Sequence, residues 1–209
     1  MANPAERTLQ DRFDVSRETL DRLRRYESLL RKWNPAINLV SNGTLQDLWA
    51  RHFLDSAQLF SMASLSEGRW VDLGSGGGFP GLVIAILASE KAPSVQVTLV
   101  ESDLRKSAFL STVARDIGLQ VAVLSERIEG LDPLNADVLS ARALAPLPGL
   151  LGFAQLHLKP DGTALFPKGA SWRDEVAEAR GRWVFMVDPI PSLTDPASVV
   201  LNIQGVSRA

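Results

Sequence analysis

Residues 71–81 read Val71-Asp72-Leu73-Gly74-Ser75-Gly76-Gly77-Gly78-Phe79-Pro80-Gly81, and this stretch decides the fold. A short apolar run enters a loop with glycines at 74, 76, 77 and 78, and a proline follows where a helix's first turn would open. Glycine permits positive φ and carries no β-carbon, so a ligand can lie directly against the backbone. The helix beyond it offers unpaired N–H groups and the positive end of its dipole to a polar or anionic group. A bare strand-to-helix turn needs fewer glycines than this. The loop reads as a ligand cradle.

Its ending limits what it can hold. A phosphate-binding P-loop closes with Gly-Lys-Ser/Thr, whereas this loop closes with Phe79-Pro80-Gly81, which excludes nucleotide hydrolysis of that type. A dinucleotide and S-adenosylmethionine remain. Gly74, Gly76 and Gly78 fit G-x-G-x-G, but the dinucleotide pattern wants its third glycine at 79, where Phe79 stands. Asp72, just ahead of Gly74, would repel a pyrophosphate and pair with the cationic methionine portion of S-adenosylmethionine, directly or through water. Charge therefore favours S-adenosylmethionine. Glu101 ends the next apolar run, Val97-Thr98-Leu99-Val100, where a carboxylate accepts the two hydroxyl protons of a ribose. Arg127-Ile128-Glu129 follows the third run at the same sheet edge. Ile128 is placed to cover an adenine face, with Glu129 or nearby backbone at its polar edge; a simple loop ion pair fits that spacing equally well.

Outward from the loop, short apolar runs alternate with helical patterns, as in βα units on a mostly parallel sheet. The expected strands are Trp70–Leu73, Val95–Val100, Val121–Leu124, Asp137–Ser140 and Thr163–Phe166. Helical patterns cover Leu82–Leu87, Leu104–Ile117 with Gly118 as terminator, Leu147–His157 and Trp172–Ala179. Lys159-Pro160-Asp161-Gly162 reads as a turn feeding the fifth strand. The last runs, Trp183–Val187 and Val199–Ile203, have no helix between them, so an antiparallel pair is expected. The prediction is a seven-stranded, mostly parallel α/β sheet with a terminal antiparallel hairpin, over residues 66–209.

Residues 1–65 read as a helical extension packed on that core. Ser16 serves as N-cap, with Val15 stapled to Leu20. Leu20, Leu23, Tyr26, Leu30 and Trp33 form one apolar stripe, and Asn34-Pro35 is expected to stop the helix. A second helix is expected from Thr44, with Asp47 completing a capping box and Arg51 pairing with Asp55 one turn on.

Composition narrows the classes further. The 209 residues are 45% hydrophobic and 22% charged, and mean hydropathy is +0.03, which excludes a disordered chain. No cysteine is present, so disulfide frameworks, zinc ribbons, iron–sulfur clusters and thiol catalysis are excluded. The two histidines, His52 and His157, lie far apart, which argues against a metal site. No segment approaches a membrane span, and Met1–Arg7 lacks a signal-peptide pattern, so a cytoplasmic protein is expected. A net charge of −2 means that any nucleic acid must be held by local basic clusters.

Taken in order, the motifs resemble the bacterial 16S ribosomal RNA guanine-N7 methyltransferases, the family first named for glucose-inhibited division protein B. The resemblance spans nearly the whole chain. It is carried by Trp33-Asn34 with Asn38-Leu39, Arg51-His52 with Asp55-Ser56, and Asp72 to Gly81. Glu101-Ser102 with Arg105-Lys106 and Phe109-Leu110, Arg127 with Glu129, Ser140-Ala141-Arg142-Ala143, and Lys168-Gly169 continue it. It implies a class I S-adenosylmethionine-dependent methyltransferase fold, Rossmann-like, with N-terminal helices. It also implies S-adenosylmethionine as donor and a guanosine in the decoding-centre loop of 16S rRNA, on the small ribosomal subunit, as acceptor. Carried over by position, the cofactor contacts are Gly74, Gly76, Phe79, Glu101, Ile128, Glu129 and Arg142. The pair Arg105-Lys106 departs from the family's common Lys-Lys or Lys-Arg while keeping the charge, and beyond Gly169 the match is one of pattern only.

The sequence has no Asn-Pro-Pro-Tyr or Asp-Pro-Pro-Tyr element for methylating exocyclic amines. Guanine N7 needs none, since it carries an in-plane lone pair and no proton at neutral pH. Catalysis by proximity and orientation is expected, with no obligatory catalytic residue and no metal. His52 is assigned to packing or RNA contact. Arg51, Arg105, Lys106 and Lys168 are expected to hold RNA phosphates; Arg22, Arg24, Arg25, Arg31 and Lys32 are a further set, interleaved with Glu18, Asp21 and Glu27. The competing readings are a methyltransferase for a small molecule or protein, an NAD-dependent oxidoreductase, and a non-catalytic nucleotide-sensing RNA-binding module. A monomer is expected.

Overall fold

The computed structural model describes residues 3–209, so Met1 and Ala2, which open the segment read above as lacking a signal peptide, lie outside it. Seven strands form one sheet in the order β3-β2-β1-β4-β5-β7-β6. They are β1 (Glu67–Leu73), β2 (Ser94–Val100), β3 (Ala122–Leu124), β4 (Ala136–Ala141), β5 (Leu158–Lys168), β6 (Trp183–Pro191) and β7 (Val199–Arg208). The first five are mutually parallel, and β7 runs antiparallel between β5 and β6. The expected sheet and terminal pair are both present. Because the chain winds from β1 toward β3 on one side and from β4 toward β5 on the other, a crevice opens at the carboxyl ends of β1 and β4.

Each sheet face is packed. Trp70, Val97 and Leu99 belong to a cluster with α1 (Pro4–Phe13), α2 (Arg17–Ile37), α3 (Asp55–Ala63), α4 (Gly81–Lys91) and α5 (Leu104–Asp116). Val71, Leu73 and Leu139 face the other way, against α6 (Leu147–His157) and α7 (Trp172–Ala179). Residues 81–88 of α4 are buried all round. One face of α4 meets the sheet and the other is covered by the N-terminal helices, so those helices complete the core. Ser16 caps α2 as expected, accepting from Thr19 N at 3.1 Å. The Glu90 carboxylate at the end of α4 in turn accepts from the Ser16 amide and hydroxyl and the Thr19 hydroxyl. Glu90→Ala should lower stability by about 1–2 kcal/mol, since three donors lose a charged acceptor; urea unfolding checks this.

Four expectations are corrected. The helix does not stop at Asn34-Pro35: α2 continues to Ile37. Asn34 is buried, and its backbone carbonyl accepts from Asn38 N at 3.0 Å while its side chain accepts from Val40 N at 2.8 Å. These bonds close the last turn around the proline, and Asn38 ends it in the left-handed region at φ 50°. Thr44 opens no helix, because its amide and hydroxyl both bond to Ser41 O. Helical structure resumes at Trp49 as a wide π-type turn, Trp49–Leu54, that runs into α3. Lys159–Gly162 is not a separate turn before β5: it bulges within the strand, where the register jumps from Ala136↔Leu158 to Val138↔Thr163. Finally, Asp55 is bonded to Arg142 at 3.3 Å rather than to Arg51.

Candidate active site

A cavity of about 1030 Å³ occupies the crevice at the carboxyl ends of β1 and β4. Its wall brings together Gly74, Gly76, Phe79, Glu101, Ile128, Glu129 and Arg142, the residues expected to hold a cofactor. Arg51, Lys106 and Lys168 also line it. Arg105 does not: it sits in the exposed first turn of α5, its guanidinium 3.2 Å from Asp103, the N-cap of that helix. Lys168 lies in the wall, but its ammonium is already bonded to Glu175 and to the Ala145 carbonyl, at 2.8 and 2.9 Å. The N-terminal arginines are largely spent in ion pairs: Arg22 with Glu18, Arg24 with Glu6 and Asp21, Arg25 with Asp116, Arg31 with Glu27.

The loop is fixed from beneath. Ser75 N donates to Val100 O at 3.0 Å, and Gly78 and Phe79 donate back to Ser75 O. Buried Tyr26, from α2, donates its hydroxyl to the Gly77 carbonyl. Gly76 adopts φ +53°, and a β-carbon there would meet nothing nearer than the Gly74 carbonyl at 3.7 Å, so its open side faces the cavity. The Gly76 N–H donates to Glu101 at 2.8 Å, and the other Glu101 oxygen accepts from Asp103 N, also at 2.8 Å. Each carboxylate oxygen keeps lone pairs for a further donor. Bare backbone, an oriented carboxylate and buried apolar Ile128 at the cavity wall fit a nucleoside with vicinal hydroxyls.

Asp72 departs from the charge argument. It is fully buried and does not line the cavity. One oxygen accepts from Ser140 Oγ at 2.7 Å and the other from Gly81 N at 3.1 Å. Burial pushes its pKa up to about 6, partly offset by bonds from Ser140, Ser75 and Gly81 and by the charge of Arg142. Asp72 fastens the start of α4 to the sheet from beneath the loop, outside the cavity wall.

The opposite wall was the least legible part. Arg142, just beyond β4, lies with its guanidinium 5.2 Å from the Phe79 ring centroid. It donates to Arg51 O at 3.2 Å and lies 3.3 Å from Asp55 and 2.6 Å from His52 Nδ1. Asp55 also accepts from Gln58 at 2.9 Å and from Thr194 at 2.8 Å, which ties the β6–β7 connection to α3. Asp55, Gln58, Thr194 and Asp195 line the cavity; Asp55 stood in a motif of the family resemblance, but its spacing pointed to Arg51, and the other three had no signal in the sequence. Backbone N–H of Ala197 and the Ser198 hydroxyl hold Asp195 below the usual carboxylate range. Burial, then Arg142, then Arg51 lower His52 to about 3, so its ring is neutral. Among the described residues no cluster of His, Cys, Asp or Glu is arranged to hold a metal ion, and no helix is long and apolar enough to cross a membrane.

The fold is shared with solved methyltransferases. A SAM-dependent methyltransferase from Aquifex aeolicus superposes with a TM-score of 0.59 at 14% identity, covering 85% of this chain and 97% of that one. The mitomycin 7-O-methyltransferase also scores 0.59, at 17% identity, over 100% of this chain and 74% of that one. Sheet order, crevice and glycine loop define the class I methyltransferase fold.

The sequence comparisons are more specific. A family model described as rRNA small subunit methyltransferase G matches residues 19–195. The Ribosomal RNA small subunit methyltransferase G of Ruegeria pomeroyi is 58% identical over 94% of this chain and 96% of its own length, and that of Cereibacter sphaeroides 50% identical over 94% of each. The chain belongs to the rRNA small subunit methyltransferase G family.

Proposed function

We propose that the protein methylates N7 of a guanosine in the decoding-centre loop of 16S rRNA, acting as a monomer in the cytoplasm. The names of its relatives support a ribosomal acceptor. The observation that carries the choice of atom is the state of His52. It is the imidazole in the cavity wall, its Nδ1 faces a guanidinium, and its pKa lies near 3, so it has no free lone pair with which to take a proton. An acceptor that must first be deprotonated finds no histidine base here; guanine N7 requires none.

The donor supplies an electrophilic methyl group on a sulfonium. In this reading Gly74, Gly76 and Phe79 lie along it, Glu101 accepts from the ribose hydroxyls, and Ile128 and Glu129 flank the adenine. Arg142 braces Phe79 and the opposite wall. Catalysis consists of holding the two reactants in line in a walled cavity. Arg51 and Lys106 at the cavity, with Arg105 on the adjoining face of α5, are positioned to meet phosphates; Lys168 reaches RNA only by leaving Glu175. Incubating small ribosomal subunits from a strain lacking the gene with labelled donor, followed by mass mapping of the 16S rRNA, should show one new N7-methylguanosine. Label on another atom or another RNA would overturn the assignment.

Glu101→Ala should weaken donor binding about 10- to 100-fold, because the ribose loses a charged acceptor and Gly76 N loses its partner. Isothermal calorimetry with S-adenosylmethionine reads this directly, and unchanged affinity would remove Glu101 from the ribose site.

A further inference from the structure

His52 holds an unused donor. Its Nδ1 lies 2.6 Å from Nη2 of Arg142. A guanidinium has donors only, so Nδ1 is the accepting nitrogen and the ring's single proton sits on Nε2. That nitrogen has no partner among the described residues and is closed to solvent. Buried donors are rarely left so. The other orphaned buried side-chain atoms belong to Ser56, His157 and Asn202, none of which lines the cavity; His52 does. The ring leans on Phe79, with centroids 4.7 Å apart, and is linked through Arg142 and Asp55 to Thr194. It therefore stands in the cavity lining where the glycine loop meets the β6–β7 wall.

We propose that His52 Nε2–H donates to O6 of the acceptor guanine and thereby selects guanine over adenine. The inference rests on the guanine-N7 reading above. N7 and O6 share one edge of guanine as neighbouring acceptors, whereas adenine carries an amino donor in place of O6. With N7 directed at the methyl group, O6 falls beside it, and a fixed donor there rewards guanine and leaves adenine with two donors facing each other. Arg142 holds the tautomer and Asp55 holds Arg142, so the donor's identity is set by the protein. Because Nε2 is closed to solvent, the entering base must part the side chains that cover it. The contact thus tests shape as well as hydrogen bonding.

The test uses the full chain and small subunits reconstituted with guanosine, inosine or adenosine at the target position. Inosine keeps O6 and N7 and lacks only the 2-amino group. Wild type should accept guanosine and inosine and reject adenosine by about 100-fold or more in kcat/KM. His52→Phe should lose about 10- to 100-fold on guanosine and inosine but little on adenosine, collapsing that ratio. His52→Gln, which offers a carbonyl to Arg142 and an amide N–H to the base, should restore part of it. A purely structural role lowers all three substrates together, so a His52→Phe enzyme with the wild-type ratio overturns the inference. So does a wild type that methylates adenosine as well as guanosine, a result that needs no variant to fold. A wild type that yields no N7-methylguanosine at all overturns the functional reading, and this inference with it.

Discussion

Gly81→Ala lowers the stability of the protein by about 3 kcal/mol and weakens donor binding in whatever remains folded. The reason is local and steric. A β-carbon at residue 81 would lie 2.3 Å from Leu99 Cδ2, 2.6 Å from Asp72 Oδ2 and 2.9 Å from Asp72 Cβ. Both neighbours are fully buried on adjacent parallel strands, β1 and β2, so neither can swing aside. Any shift also stretches the Gly81 N–Asp72 bond that sets where α4 begins, and with it the glycine loop. Gly76→Ala is the informative control. It carries the strain of a left-handed residue, about 1–2 kcal/mol, with no clash in the core. Urea unfolding should rank wild type above Gly76→Ala above Gly81→Ala, while calorimetry should find donor binding impaired in both. A Gly81→Ala protein that unfolds like wild type would show that the helix start is not packed this tightly.

The same few residues show what a sequence can and cannot disclose. Backbone demands are local, so the glycine loop, the strand runs and the antiparallel end were legible: each depends on residues within one element or the next. The N-cap at Ser16 and the terminator Gly118, at φ +64°, belong to the same kind. Side-chain partnerships across the fold were not. In sequence Asp72 points toward a ligand cation because it stands just ahead of Gly74, yet the partner that the fold gives it, Ser140, lies 68 positions away on the adjoining strand. Asp55 has Arg51 one helical turn behind it, but the chain brings Arg142, 87 positions on, to its carboxylate. Pro35 failed as a helix stop because Asn34 closes the turn from the side chain, which no propensity rule anticipates. Spacing predicts what a residue can reach along its own helix; only the packed sheet decides which competing partner it meets.

Arg142→Met should cost about 3 kcal/mol at neutral pH and blunt the protein's response to acid. Methionine keeps much of the packing against Phe79, so the loss is mainly that of the charge. Asp55, with only 17% of its side chain exposed, would keep Thr194 and Gln58 but lose its cation, and His52 Nδ1 would lose its donor. The pH effect follows from His52. In wild type its pKa falls from 6.5 to about 3 on folding, so between those values the unfolded chain binds the proton and the folded chain does not. Stability from this group is complete above pH 6.5 and is lost as pH falls toward 3. Asp72, raised from 3.8 to about 6, acts in the opposite sense, since the folded state takes up its proton first as pH falls. Its smaller displacement leaves His52 dominant. Removing Arg142 deletes the second-largest cause of the His52 shift, so the ring takes up its proton at higher pH. Urea unfolding at pH 7.5 and pH 5 should therefore show a smaller loss on acidification in Arg142→Met than in wild type, and the His52 ring resonances should titrate at higher pH. Equal acid sensitivity in the two proteins would mean that burial alone keeps His52 neutral, and that Arg142 holds the cavity wall without setting the tautomer.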